Sequence, residues 1–232
     1  MDIREASMHP QKTFSSSIGS KFLIAFTGIC LVLFLVAHLA GNLLFIAGPD
    51  AFNAYSHSLV SNPLIYFAEL GLLGVFGLHI VKAVAMVAGS FAARPQRYVK
   101  RTWAKTKNDR SRKSVSSSTM IVTGTIMLLF VVTHLATFKF GAYYETPEGL
   151  RDLYRLQLAV FSNPGYVAFY VVAMGVILFH LWHGVSSALQ SFGINSPTWT
   201  PRLTLLGRGL AVLLGLGFAL LPIYTLIIGA RS

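Results

Sequence analysis

Five long apolar runs, separated by polar loops, dominate the chain. They lie near 20–46, 63–91, 118–140, 164–191 and 205–229. A hydrocarbon core takes about 20 helical residues to cross, and each run is long enough. The strands of a membrane β-barrel would be far shorter and would alternate apolar with polar positions, which these runs do not. The pattern predicts an all-α integral membrane bundle of five transmembrane helices, read as one domain over 1–232.

Composition agrees with a bilayer as solvent. Of 232 residues, 54% are hydrophobic and 12% charged, about half the charged share of soluble domains. The segment 1–20 is polar and the first apolar run is too long for a signal-peptide h-region, so no cleaved leader is expected. The single cysteine, Cys30, lies inside an apolar run. That leaves no disulfide framework and no thiolate metal site.

The formal charge of +11 changes the picture only through its placement. The loop 92–117 carries nine basic residues, Arg94, Arg97, Lys100, Arg101, Lys105, Lys107, Arg110, Arg112 and Lys113, opposed by Asp109 alone. Clustering between apolar spans is the mark of membrane topology, and nucleic acid is not an expected partner. The polar tail, this loop and the segment 192–204 share one side, with 14 basic residues when Lys21 and Arg208 are included; the opposite side has four. The positive-inside bias then puts the N-terminus in the cytoplasm and the C-terminus outside.

The chain also repeats itself. Thr27-Gly28 precedes His38-Leu39-Ala40, and Thr123-Gly124 precedes His134-Leu135-Ala136, with ten residues from Gly to His in both. Ser61-Asn62-Pro63 leads to His79, and Ser162-Asn163-Pro164 to His180, each 18 residues after its serine. Gly74 and Gly175 stand five residues before those histidines. Asn-Pro suits a helix start, because Asn can cap and Pro needs no N–H there. The chain therefore reads as two copies of a two-span unit plus a fifth span. Parallel repeats are related by an axis along the membrane normal, so equivalent residues lie at similar depth.

Four histidines, His38, His79, His134 and His180, lie within spans. An imidazole in hydrocarbon is costly without a partner, which makes each a functional candidate. At about 1.5 Å per residue, His38 and His134 fall near the outer ends of their spans and His79 and His180 toward the inner, in layers roughly 12 Å apart. Two imidazoles at one depth on different helices can grip a haem iron from both faces, without bringing in a charged ligand. Zinc and copper sites gather three or four ligands in one place, unlike two separated pairs. The alternative is interhelical hydrogen bonding, worth about 0.6 kcal/mol per contact. Thr27 and Thr123 lie three turns before His38 and His134. A small residue there would either make room for the other porphyrin or let helices pack closely. His183 follows His180 by three residues, where the repeat has Lys82, so His180 is the preferred ligand. His183 or Lys82 would meet a haem propionate, or Lys82 would only snorkel. His57 and His9 have no repeat partner.

The segments FLVAHLAGNLLF (34–45), AFNAYSHSLVSNP (51–63), GLHIVKAV (77–84), FVVTHL (130–135) and 175–194, with LFH at 178–180, resemble the cytochrome b membrane-anchor subunit of bacterial succinate dehydrogenases and fumarate reductases, in its di-haem, five-helix form. The resemblance implies two haem b groups, an outer one held by His38 and His134 and an inner one by His79 and His180. It implies a bacterial cytoplasmic membrane, and partners comprising an FAD-containing flavoprotein and an iron–sulfur subunit on the cytoplasmic side, beside membrane lipid. It also implies menaquinone or ubiquinone as the electron partner within the membrane. The chain itself has no dinucleotide fingerprint and no iron–sulfur cysteine set, so it is not expected to act on succinate alone.

Quinone chemistry needs a proton acceptor. Glu69 is the only acidic residue within a span, and the family carries a Glu at a similar place. It is read either as that proton group or as a neutral, hydrogen-bonded carboxyl. Ser17, Ser20 and Lys21 form a second candidate on the inner side. The rival readings are a b-type anchor of a hydrogenase or formate dehydrogenase, and a haem-free transporter. The continuous spans argue against the transporter, because broken helices are its usual mark.

Overall fold

The computed structural model describes residues 17–92, 118–194 and 196–230. The basic loop 92–117 is therefore outside the described residues except for Ala92, as are residues 1–16, His9 among them. The described chain is mostly helical: α1 (Ser17–Leu43), α2 (Pro49–Val60), α3 (Leu64–Ala92), α4 (Met120–His134), α5 (Leu153–Phe161), α6 (Pro164–Ser191) and α7 (Trp199–Gly229). Five of these elements are long and apolar enough to cross a membrane. They run Ile18–Ala47, Leu64–Ala92, Met120–Lys139, Pro164–Ser191 and Trp199–Gly229. In lipid every backbone polar group must be satisfied within the helix, which is why such runs fold this way.

Four of the five spans lie where the apolar pattern predicts. The fifth begins six residues early, at Trp199 instead of 205. Pro201 does not delay it, because first-turn N–H groups have no intrahelical acceptor and Pro loses nothing there. Further along α7, Pro222 stands inside the helix, a placement tolerated in membrane spans where neighbours satisfy the freed carbonyl.

Two elements went unpredicted. The loops 47–62 and 139–163 each contain a short helix, α2 and α5, ending at a Ser-Asn-Pro. The duplicated unit is thus span, short helix, span. The Asn residues serve as the repeat implies. Asn62 Oδ1 accepts from the Leu64 N–H at 3.0 Å, and Asn163 Oδ1 from the Gly165 N–H at 2.8 Å. Asp152 caps α5 by accepting the Arg155 N–H.

The core sits on α6, which buries Val167, Tyr170, Met174, Ile177, Leu181, Val185 and Ala188 along one face. That spacing is the i, i+3, i+4, i+7 stripe of an amphipathic contact. α7 packs closely along it: Ala211 and Leu214 are fully buried, and small residues such as Gly207, set against Val185, allow the approach. α1 contributes Ala25, Val32 and Leu39, seven apart. α3 buries no residue and leans mainly on α1. Its exposed Leu64, Phe67, Leu70 and Leu73 form a lipid-suited surface.

Candidate functional site

His38 and His134 come together near the end of the bundle that carries the short helices. Their ring centroids are 5.9 Å apart and the rings nearly perpendicular, at 88°. Metal–imidazole bonds are about 2.0–2.1 Å in zinc sites, and two bonds of that order plus two ring radii set paired centroids roughly 6.4 Å apart. The observed gap is within half an ångström of that. One turn before each histidine stands a phenylalanine that stacks on it: Phe34 on His38 at 5.3 Å and Phe130 on His134 at 5.7 Å. The i, i+4 geometry of a helix puts both on one face. Phe218 and Phe138 complete an aromatic surround. Tyr170 makes only a long 3.5 Å contact from its hydroxyl to His134 Nδ1.

The helix does not end at His134 but widens into a π-helical turn, Leu135–Lys139. Such bulges are frequent at functional sites. The turn carries Lys139 across to Glu69, and the two form an ion pair between the fourth and third helices. The Glu69 carboxyl is therefore partnered by the Lys139 side chain. It does not join the histidine pairs, and both ends of the ion pair are nearly half exposed.

The other two histidines lie further along the bundle, level with Thr27 and Thr123. His79 meets Thr27 of α1, with Nδ1 3.0 Å from Oγ1. His180 meets Thr123 of α4 in the same way, again 3.0 Å. His79 and His180 are within electrostatic reach of each other, and His183 of His180. Gly28 and Gly124 let the rings lie there. A Cβ on Gly28 would stand 3.3 Å from His79 Cε1, and one on Gly124 3.4 Å from His180 Cε1. The Thr-Gly pairs thus allow close approach of the neighbouring span, and the threonine adds a polar contact. The threonine bonds the histidine of the neighbouring span, and the glycine admits its ring.

Among the described residues, no group of three or more His, Cys, Asp or Glu side chains gathers at one place. What the bundle brings together directly is His38 and His134, while His79 and His180 each meet the threonine of a neighbouring span, on helices related by the duplication. A flat aromatic macrocycle held by two axial nitrogens fits such a donor set. The apolar and aromatic lining around His38 and His134 suits a porphyrin face, and Gly28 and Gly124 let the His79 and His180 rings lie close against the neighbouring helices.

Sequence reasoning missed the phenylalanines, Lys139 and the part played by Asn53. The repeated F-x-x-x-H at 34–38 and 130–134 carried the first signal. Asn53 is buried between the short helices, where it donates to the Asp152 carboxylate and accepts the Tyr154 N–H. Of the second quinone-side candidate, Ser20 and Lys21 sit in the first turns of α1, and the side chain of Ser17 is outside the described residues.

The chain is 28% identical over 174 residues to the succinate dehydrogenase cytochrome b558 subunit of Bacillus subtilis (strain 168), spanning 73% of this chain and 75% of that protein. That similarity supports the cytochrome b anchor family. No family model and no solved structure matches the chain. The matched length and the five apolar helices agree with a multi-pass membrane cytochrome b of succinate dehydrogenase.

Proposed function

We propose that the chain is the di-haem membrane-anchor subunit of a succinate:quinone oxidoreductase, a succinate dehydrogenase or fumarate reductase. It forms one transmembrane domain in a bacterial cytoplasmic membrane, N-terminus inside. His38 and His134 hold the outer haem b, and His79 and His180 the inner. The observation that carries this reading is the approach of His38 to His134 from repeat-related helices at a haem's spacing.

Haem iron supplies one-electron chemistry. The chain's own residues do the rest. Neutral imidazoles ligate without adding a buried charge, the aromatic surround excludes water, and the two layers place the groups in sequence across the bilayer. Electrons pass between a cytoplasmic iron–sulfur subunit, itself served by an FAD-containing flavoprotein, and menaquinone or ubiquinone in the membrane. Glu69, paired with Lys139 at the outer end, is the carboxylate placed to exchange the quinone's protons.

The test is purification from membranes. Two b-type haems per chain by pyridine haemochrome, together with a co-purifying flavoprotein that reduces on adding succinate, support the proposal. A haem-free chain, or a partner that reduces only with hydrogen or formate, overturns it.

A further inference from the structure

A hydroxyl carries one hydrogen. Thr27 Oγ1 lies 2.7 Å from the Leu23 carbonyl oxygen and 3.2 Å from that of Ile24. A carbonyl can only accept, so the Thr27 hydrogen is committed to its own helix. The 3.0 Å contact with His79 Nδ1 then runs the other way, with an Nδ1–H donating to the Thr27 oxygen and shared with the Ile24 backbone. The same logic holds at the second copy. Thr123 Oγ1 is 3.1 Å from the carbonyl oxygens of both Thr119 and Met120, so His180 Nδ1–H donates to it at 3.0 Å. Thr27 is itself almost wholly buried, with no water to replace this arrangement.

A neutral imidazole with its proton on Nδ1 has its lone pair on Nε2. We infer that Thr27 and Thr123 are positioning residues that fix His79 and His180 in the tautomer whose Nε2 faces the metal, acting only on the inner pair. This rests on the haem reading above. His38 and His134 have no such partner among the described hydrogen bonds: His134 Nδ1 has only the 3.5 Å contact with Tyr170. The chain therefore treats its two layers differently. A hydrogen-bond acceptor behind a ligating imidazole raises the ligand's basicity. A more basic ligand favours ferric iron, so the threonines hold the inner potential down.

The test compares Thr27→Val, which keeps the shape and removes the hydroxyl, with Thr27→Ser, which keeps the hydroxyl, in membranes holding the assembled complex. The readouts are haem count and redox titration of the two b-type signals. The expected result for Thr27→Val is an upward shift of one midpoint potential, or loss of one haem, with the other haem unmoved. Thr27→Ser returns the wild-type value. Thr123→Val shifts the same haem, and the double variant shifts it further than either alone. Two haems at unchanged potentials in Thr27→Val would overturn the inference, leaving the threonine as helix packing and the haem reading intact. A Ser variant indistinguishable from Val would also overturn it. A wild-type chain with fewer than two haems would overturn the haem reading together with this one.

Discussion

The Asn53 amide donates to the Asp152 carboxylate at 2.8 Å while its oxygen accepts the Tyr154 N–H at 3.0 Å. One side chain in α2 thereby ties down the N-terminus of α5, 99 residues further along, and joins the two copies of the duplicated unit. Asn53 is only 4% exposed, so neither bond is readily replaced by water. Asn53→Ala should cost about 1–3 kcal/mol through the unsatisfied groups it leaves, read as a lower thermal midpoint in detergent. Asn53→Asp should be worse, because it sets one carboxylate against another. A midpoint unchanged in both would mean that the short helices dock without this contact.

Much of this architecture was legible because the bilayer leaves few choices. A run long enough to span has to be a helix, and the repeat then assigns depth to His38, His79, His134 and His180. The short helices were hidden because α2 and α5 mix polar and apolar positions over 12 and nine residues, too short for periodicity to speak. Asp152 as a cap was visible only in hindsight. The Thr-Gly pairs were visible as a pattern but not as chemistry. Thr27 finds its partner 52 residues away, and hydrogen-bond direction depends on where the threonine's own proton goes. Lys139, which pairs with Glu69, closes a π-helical turn at the end of α4, and nothing local in the sequence announces that turn.

The glycines beside the deeper histidines give a graded prediction. A methyl on Gly28 would sit 3.3 Å from His79 Cε1, close enough that the ring must yield slightly. Gly28→Ala should keep both haems and alter one b-type absorption band. Gly28→Val has no such room and should lose that haem alone, halving the pyridine haemochrome value. Gly124, at 3.4 Å from His180, should behave likewise and affect the same haem. Two different haems responding to the two glycines would contradict the pairing of His79 with His180.

The outer pair is open to a similar separation. His38→Ala removes one of two axial nitrogens, and the aromatic surround alone cannot hold iron. One haem per chain should remain, with the inner potential little changed because the layers lie several turns apart. His134→Ala should remove the same haem, and the double variant should lose no more than either single one. Loss of both haems in His38→Ala would instead mean that the fold collapses without the outer group.

Glu69 and Lys139 pose the question of function against stability. Their ion pair ties α3 to the end of α4, and Glu69 lies within an apolar span, where exposed surface faces lipid, so the thermal midpoint is read beside turnover. If the carboxylate exchanges protons with quinone, Glu69→Gln should retain both haems and slow quinone-linked turnover by roughly 10²-fold, the lower range for a lost acid–base group. Electron entry from the cytoplasmic side should be unaffected, so haem reduction by succinate without quinone turnover becomes the signature. Lys139→Met tests the other partner. It keeps the carboxylate but removes the cation beside it, and should slow turnover less than Glu69→Gln does. Equal and small effects from both variants would reduce the pair to a tie between α3 and the end of α4, and would move the search for the proton group to the other end of the bundle.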